Sequence, residues 1–192
     1  MRLTSPYSLF SRSLEMMALE NPLRPLIHDP YRVLEEMGVR AGATLLDIGC
    51  GSGYIAIPAA EVVGQAGHIY ALDNDGGKLS RLKRKAERRG LKNLTTILTD
   101  AWRINQLNPG TIDVALMFFS LHHFEKKRES LRMAWEKLKS GARLFIFEPI
   151  KTRMAGHGTD AGEVLRASAE EGFIHISLRT GLLTYRLELL KP

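Results

Sequence analysis

Three carboxylates, a run of glycines and a pair of histidines are the residues whose types and spacing suggest chemistry. Gly49, Gly51 and Gly53 alternate with Cys50 and Ser52, directly after the apolar stretch Leu45-Leu46-Asp47-Ile48 and before a segment with helical character. A strand that runs into bare backbone and then a helix lets a ligand approach main-chain N–H groups without meeting side chains. The same glycines also suit a tight turn that needs positive φ, so the loop alone leaves both roles open. A dinucleotide loop of the form G-x-G-x-x-G requires glycine at position 54, where this chain has Tyr54. Asp47, just before the first glycine, would repel a pyrophosphate and could face the ammonium group of an amino-acid ligand.

Asp73 closes a second apolar stretch, where its carboxylate can accept hydrogen bonds from two vicinal ribose hydroxyls. Asp75 is better suited to cap the helix that begins near Gly76. His122 and His123 follow a fourth apolar stretch. Either could take a proton from an acceptor, although local packing or hydrogen bonding is the commoner reason for a histidine at such a place.

These residues need a scaffold that brings strand ends together. Short apolar runs at 44–48, 68–73, 94–99, 112–118 and 142–148 read as buried strands. Amphipathic stretches at 54–63, 77–89 and 125–139 alternate with them; Leu79, Leu82 and Ala86 share one face of the second. A helix near 161–171 then precedes strands at 173–179 and 182–190, joined tightly at Thr180-Gly181 and so antiparallel. Residues 1–41 form a separate helical leader, with Met16, Met17, Leu19, Leu34 and Met37 on short helices interrupted by Pro22, Pro25 and Pro30. Residues 42–192 form one α/β domain.

The stretch D-I-G-C-G-S-G, with the later segments in order, resembles the class I S-adenosylmethionine-dependent methyltransferases, particularly their small-molecule and quinone-biosynthesis branch. The resemblance covers most of the chain from Gly42 onward. It implies a Rossmann-like seven-stranded sheet of order 3-2-1-4-5-7-6, the last strand antiparallel, and a methyltransferase that releases S-adenosylhomocysteine. It implies that Gly49, Gly51 and Gly53 touch the cofactor through backbone, that Asp47 supports its methionyl portion, and that Cys50 packs beside it. Asp73 corresponds to the ribose-binding acid, with Asn74 near adenine. I-L-T-D-A-W is similar to the family's G-D-A element, so Asp100 accepts from the adenine amino group and the Ala101 N–H meets the ring, with Trp102 nearby. The backbone at Met117 flanks the cofactor. Phe118 stands where a small or polar residue is usual, which suggests an apolar wall.

The acceptor is expected to be a small molecule. The alternative is a cofactor-binding module, or a subunit of an RNA or protein methyltransferase that needs a partner. The run from Lys78 to Lys92 has eight basic residues against Glu87 alone, but no aromatic residue interleaves with it and the solvated face of an outer helix explains it. Arg24, His28 and Tyr31 in the leader could line a lid over the cleft. With 192 residues, 44% hydrophobic and 25% charged, the chain has the composition of a globular protein and not of a disordered one. Its single cysteine excludes an internal disulfide and a Cys-rich metal site, and fits a reducing cytoplasm. No metal site is expected. Arg2, Arg12, Glu15 and Glu20 interrupt any signal-peptide apolar region.

Overall fold

The computed structural model describes residues 29–192 apart from Ala155. The leader residues Met16, Met17, Leu19, Arg24 and His28 lie outside the described residues.

Five strands run parallel: β1 (Thr44–Ile48), β2 (His68–Asp73), β3 (Leu94–Leu98), β4 (Ile112–Phe118) and β5 (Leu138–Pro149). They are followed by β6 (Ile174–Thr180) and β7 (Thr184–Leu190), and β7 pairs antiparallel with both β5 and β6. The sheet order is β3-β2-β1-β4-β5-β7-β6, as the resemblance implied.

Successive strand residues face opposite sides of the sheet, so each central strand feeds two cores. Leu45, Leu116, Phe118 and Phe147 lie in one core with residues of α1 (Pro30–Glu36), α2 (Ala56–Val63) and α3 (Gly76–Arg88). Leu46, Ile48, Met117 and Ile146 lie in the other, against α4 (Lys127–Lys137) and α5 (Ala161–Glu170). The described end of the leader shares the first core through Val33, Leu34, Met37 and Val39. Pro30 opens α1 where a missing N–H costs nothing, and the Asp29 carboxylate accepts from the Tyr31 N–H at 3.0 Å.

Most expected boundaries are met within one or two residues, and the largest departure is at the start of β5. The helix expected over 125–139 stops at Lys137, because Leu138 turns extended and pairs with Ile112; β5 therefore starts at 138, not 142. Gly141, at φ 77°, then lets the strand regain register at Arg143. In the edge strand β6, a bulge at Ile176 separates the pairs His175–Leu189 and Ser177–Glu188. Ile174 shares a face with Leu190 and Leu178 shares the other with Leu187. The exposed side chains Ile174, Ile176 and Leu178 thus make no continuous stripe, which blunts the edge against pairing.

Candidate functional site

The glycine loop leaves β1 and is anchored on β2: the N–H groups of Gly49 and Cys50 donate to the Leu72 carbonyl at 2.7 and 2.9 Å. The Gly51 N–H donates to Asp73 Oδ2 at 2.8 Å, and the Asp75 N–H to Asp73 Oδ1 at 2.9 Å. Each oxygen of this buried carboxylate therefore holds one backbone donor and keeps a further lone-pair direction. Asp75 does cap α3, accepting from the Gly77 and Lys78 N–H groups; the backbone bond from Lys78 is the main cause holding its carboxyl below the usual range.

All three loop glycines have positive φ, but they face different surroundings. A Cβ on Gly49 would lie 2.5 Å from Ser120 Cβ, and one on Gly53 would lie 2.3 Å from Leu82 Cδ1. A Cβ on Gly51 would meet nothing within 4 Å. Gly49 and Gly53 are thus required by packing against β4's turn and α3, whereas Gly51 turns its bare face to open space. Asp47 is buried on the strand just below. Cys50 is also buried, and burial, with the charges of Asp47 and Asp73, pushes its thiol well up.

At the end of β3, Asn74 Nδ2 donates to Asp100 Oδ1 at 3.2 Å, so two candidates separated by 26 residues meet. The Thr99 N–H donates to the Asp73 carbonyl at 3.1 Å, which ties this end to the ribose candidate. Ala101 is buried. The Trp102 ring is engaged by two cations, with Arg103 Cζ 3.9 Å and Lys126 Nζ 4.1 Å from its centroid.

At the end of β4 the Met117 side chain is fully buried in the α4 core, so only its backbone is available at this edge. Phe118 stacks on Tyr54 (ring centroids 6.0 Å apart) and meets Phe147 and Phe119, and is itself buried in the first core. Phe119 takes a left-handed φ of 52°, and its N–H donates to the Phe147 carbonyl. Ser120 Oγ donates to the Ile48 carbonyl at 2.7 Å, which brings the next turn, Leu121–His123, over β1.

That turn separates the two histidines. Glu148, fully buried at the end of β5, accepts from the Leu121 N–H at 2.9 Å and pairs through Oε2 with His122 Nδ1 at 2.8 Å. His123 is exposed and lies against the His122 ring with centroids 3.9 Å apart. Sequence reasoning missed Glu148. The available signal was a lone carboxylate closing the apolar run Leu144-Phe145-Ile146-Phe147, the same place in its strand that Asp73 holds in β2.

The basic run on α3 has internal partners in part. Lys85 Nζ donates to the Ser52 carbonyl at 3.0 Å, and Arg89 pairs with Glu61 at 2.7 Å. Tyr31, a lid candidate, donates to the same Glu61. Among the described residues no group of three His, Cys, Asp or Glu side chains could hold a metal, and no helix is long and apolar enough to cross a membrane.

The family model described as a methyltransferase domain matches residues 40–173, and the chain belongs to that family, within the class I S-adenosylmethionine-dependent methyltransferases. It is 30% identical over 142 residues to a Saccharolobus solfataricus protein named "Probable cobalt-precorrin-6B C(15)-methyltransferase (decarboxylating)", a match covering 73% of this chain and 67% of that one. It is 27% identical over 132 residues to the demethylmenaquinone methyltransferase of Oceanobacillus iheyensis, covering 68% of this chain and 55% of that one. The crystal structure of a SAM dependent methyltransferase from Aquifex aeolicus superposes with a TM-score of 0.83 at 24% identity, over 93% of this chain and 97% of that one.

Proposed function

We propose that this chain itself binds S-adenosylmethionine at the carboxyl ends of β1–β4 and methylates a small molecule. The observation that carries the reading is the pairing of Gly51 with Asp73. A bare backbone face opens on space beside a buried carboxylate that still has lone pairs for two hydroxyls, which fits the ribose end of the cofactor. Asp47 suits the ammonium of the methionyl portion. Gly49, Cys50, Gly51 and Gly53 supply the loop around that portion, and the Met117 backbone closes the floor. Asn74, Asp100 and the Ala101 N–H suit adenine; Asp100 keeps lone pairs beside its bond from Asn74. When bound, the cofactor supplies a methyl group on a positively charged sulfur, so the protein's task is to hold a nucleophile in line with it and keep water out.

A small-molecule acceptor is supported by the names of the two relatives, a cobalt-precorrin and a demethylmenaquinone methyltransferase. The half-buried rings of Tyr54 and Phe119, backed by the buried Phe118, suit an apolar or planar one. We assign residues 1–41 as leader and lid and 42–192 as the catalytic domain, and place the protein in the cytoplasm on its single buried cysteine.

Calorimetric titration with S-adenosylmethionine and with NAD tests the cofactor, and release of S-adenosylhomocysteine with a panel of small acceptors tests the transfer. Saturable binding of S-adenosylmethionine with turnover supports the reading. Binding of NAD alone overturns it, and cofactor binding without turnover of any acceptor favours the module that needs a partner.

A further inference from the structure

We propose that the methyl acceptor carries an O–H or N–H group and that His122, oriented by Glu148, takes its proton. This rests on the methyltransferase reading and adds the chemical class of the acceptor.

A carboxylate with no solvent exposure is costly unless its oxygens are satisfied. Glu148 spends one oxygen on the Leu121 N–H and the other on His122 Nδ1. Both partners belong to one three-residue turn, so the carboxylate fixes the turn and the ring together. With Nδ1–H donating to Glu148, the imidazole lone pair resides on Nε2. The His122 side chain is 11% exposed, enclosed yet open at an edge.

The position is as particular as the pairing. Ser120 bonds to the last carbonyl of β1, and Ser120 and Phe124 are the groups that a Cβ on Gly49 would strike. His122 therefore stands over the carboxyl ends of β1, β4 and β5, the edge that carries the glycine loop. Phe119 bends the chain into this turn through a left-handed backbone that costs a non-glycine residue energy, and strain of that kind gathers at functional sites. The other titratable groups nearby are His123 beside the ring, and Tyr185, which pairs with Glu148 across β5 and β7 and has Asp160 in range. Burial pushes the Tyr185 phenol up, so it stays neutral.

As the acceptor's oxygen or nitrogen lone pair forms its bond to the methyl carbon, the carbon–sulfur bond breaks with its electron pair left on sulfur. The acceptor's proton passes to His122 Nε2. The products are the methylated acceptor, neutral S-adenosylhomocysteine and an imidazolium paired with Glu148, which returns its proton to water through the exposed edge. His122 is the catalytic residue and Glu148 a positioning residue.

Three measurements test this. Long-range proton–nitrogen correlation spectra of the wild type and Glu148→Gln read the His122 tautomer without cofactor or acceptor. Calorimetry with S-adenosylmethionine checks the underlying reading in wild type, Glu148→Gln and His122→Gln. Release of S-adenosylhomocysteine is then followed with phenols, aliphatic alcohols and amines. The expected result is an Nδ1–H tautomer in wild type that is lost in Glu148→Gln, and kcat lowered by ~100-fold or more in both variants, with cofactor affinity unchanged within about twofold. If Glu148→Gln does not fold, the wild-type tautomer and His122→Gln decide. An Nε2–H tautomer in wild type overturns the proposal. So does full turnover by His122→Gln, or cofactor binding without turnover of any acceptor in the panel, and both leave cofactor binding standing. Failure of the wild type to bind S-adenosylmethionine removes the reading beneath it.

Discussion

Alanine at each loop glycine separates packing from ligand contact. Gly49→Ala and Gly53→Ala place a methyl 2.5 Å from Ser120 Cβ and 2.3 Å from Leu82 Cδ1. Ser120 Cβ is fixed to the backbone of a turn, and Leu82 is fully buried, so neither can yield freely. Each variant adds overpacking of ~1–3 kcal/mol to a positive-φ penalty of ~1–2 kcal/mol, a total of about 2–5 kcal/mol. Gly51→Ala carries only the φ penalty, because its Cβ meets nothing within 4 Å. In a protein of this length ~1 kcal/mol moves Tm by about 2–4 °C. Thermal melts without cofactor should therefore show Gly51→Ala lower than wild type by roughly 2–8 °C and the other two lower by roughly 4–20 °C, each below Gly51→Ala. Titration with S-adenosylmethionine should reverse the ranking for Gly51→Ala: a nearly normal fold and an affinity lowered at least ~10-fold, since its methyl occupies the ligand's space. Wild-type affinity in Gly51→Ala would refute the assignment of that open face to the cofactor. A Gly49→Ala protein as stable as Gly51→Ala would refute the packing argument.

Asp73→Ala should weaken S-adenosylmethionine binding by ~1–3 kcal/mol, the range for losing a hydrogen-bonding partner to a charged group; unchanged affinity by calorimetry would mean that the ribose end lies elsewhere. Asp75→Ala should cost ~1 kcal/mol of stability in urea denaturation by removing the α3 cap. Because the Asp75 carboxyl is held low in the folded protein, its contribution is complete above the unfolded value of ~3.9 and is lost as pH falls through the lower folded value. The difference between wild type and Asp75→Ala should accordingly be constant near neutrality and shrink in acid. Cys50, buried with its thiol pushed up, should react with a thiol reagent at neutral pH far more slowly in the native protein than in urea; equal rates would show that the loop opens freely.

The alternation of apolar and amphipathic stretches gave the right strands and helices, because their periodicity is written locally. The errors fell where a partner decides the boundary: Leu138 leaves the helix only because Ile112 is there to pair with it. The Asp75 cap was legible because a cap joins residues two and three apart. The strand order came from resemblance, since local pattern contains no information on which strands lie side by side.

By itself the sequence determined the loop at 49–53, the carboxylates at its strand ends, and the exclusion of a dinucleotide motif by Tyr54. These depend on residue type and near spacing. Only the tertiary structure divided the three glycines between packing and open space, and only it joined Asn74 to Asp100 and His122 to Glu148. Glycine roles depend on what a missing Cβ would strike, and those pairs bridge 26 residues of chain through a sheet whose register no local signal specifies.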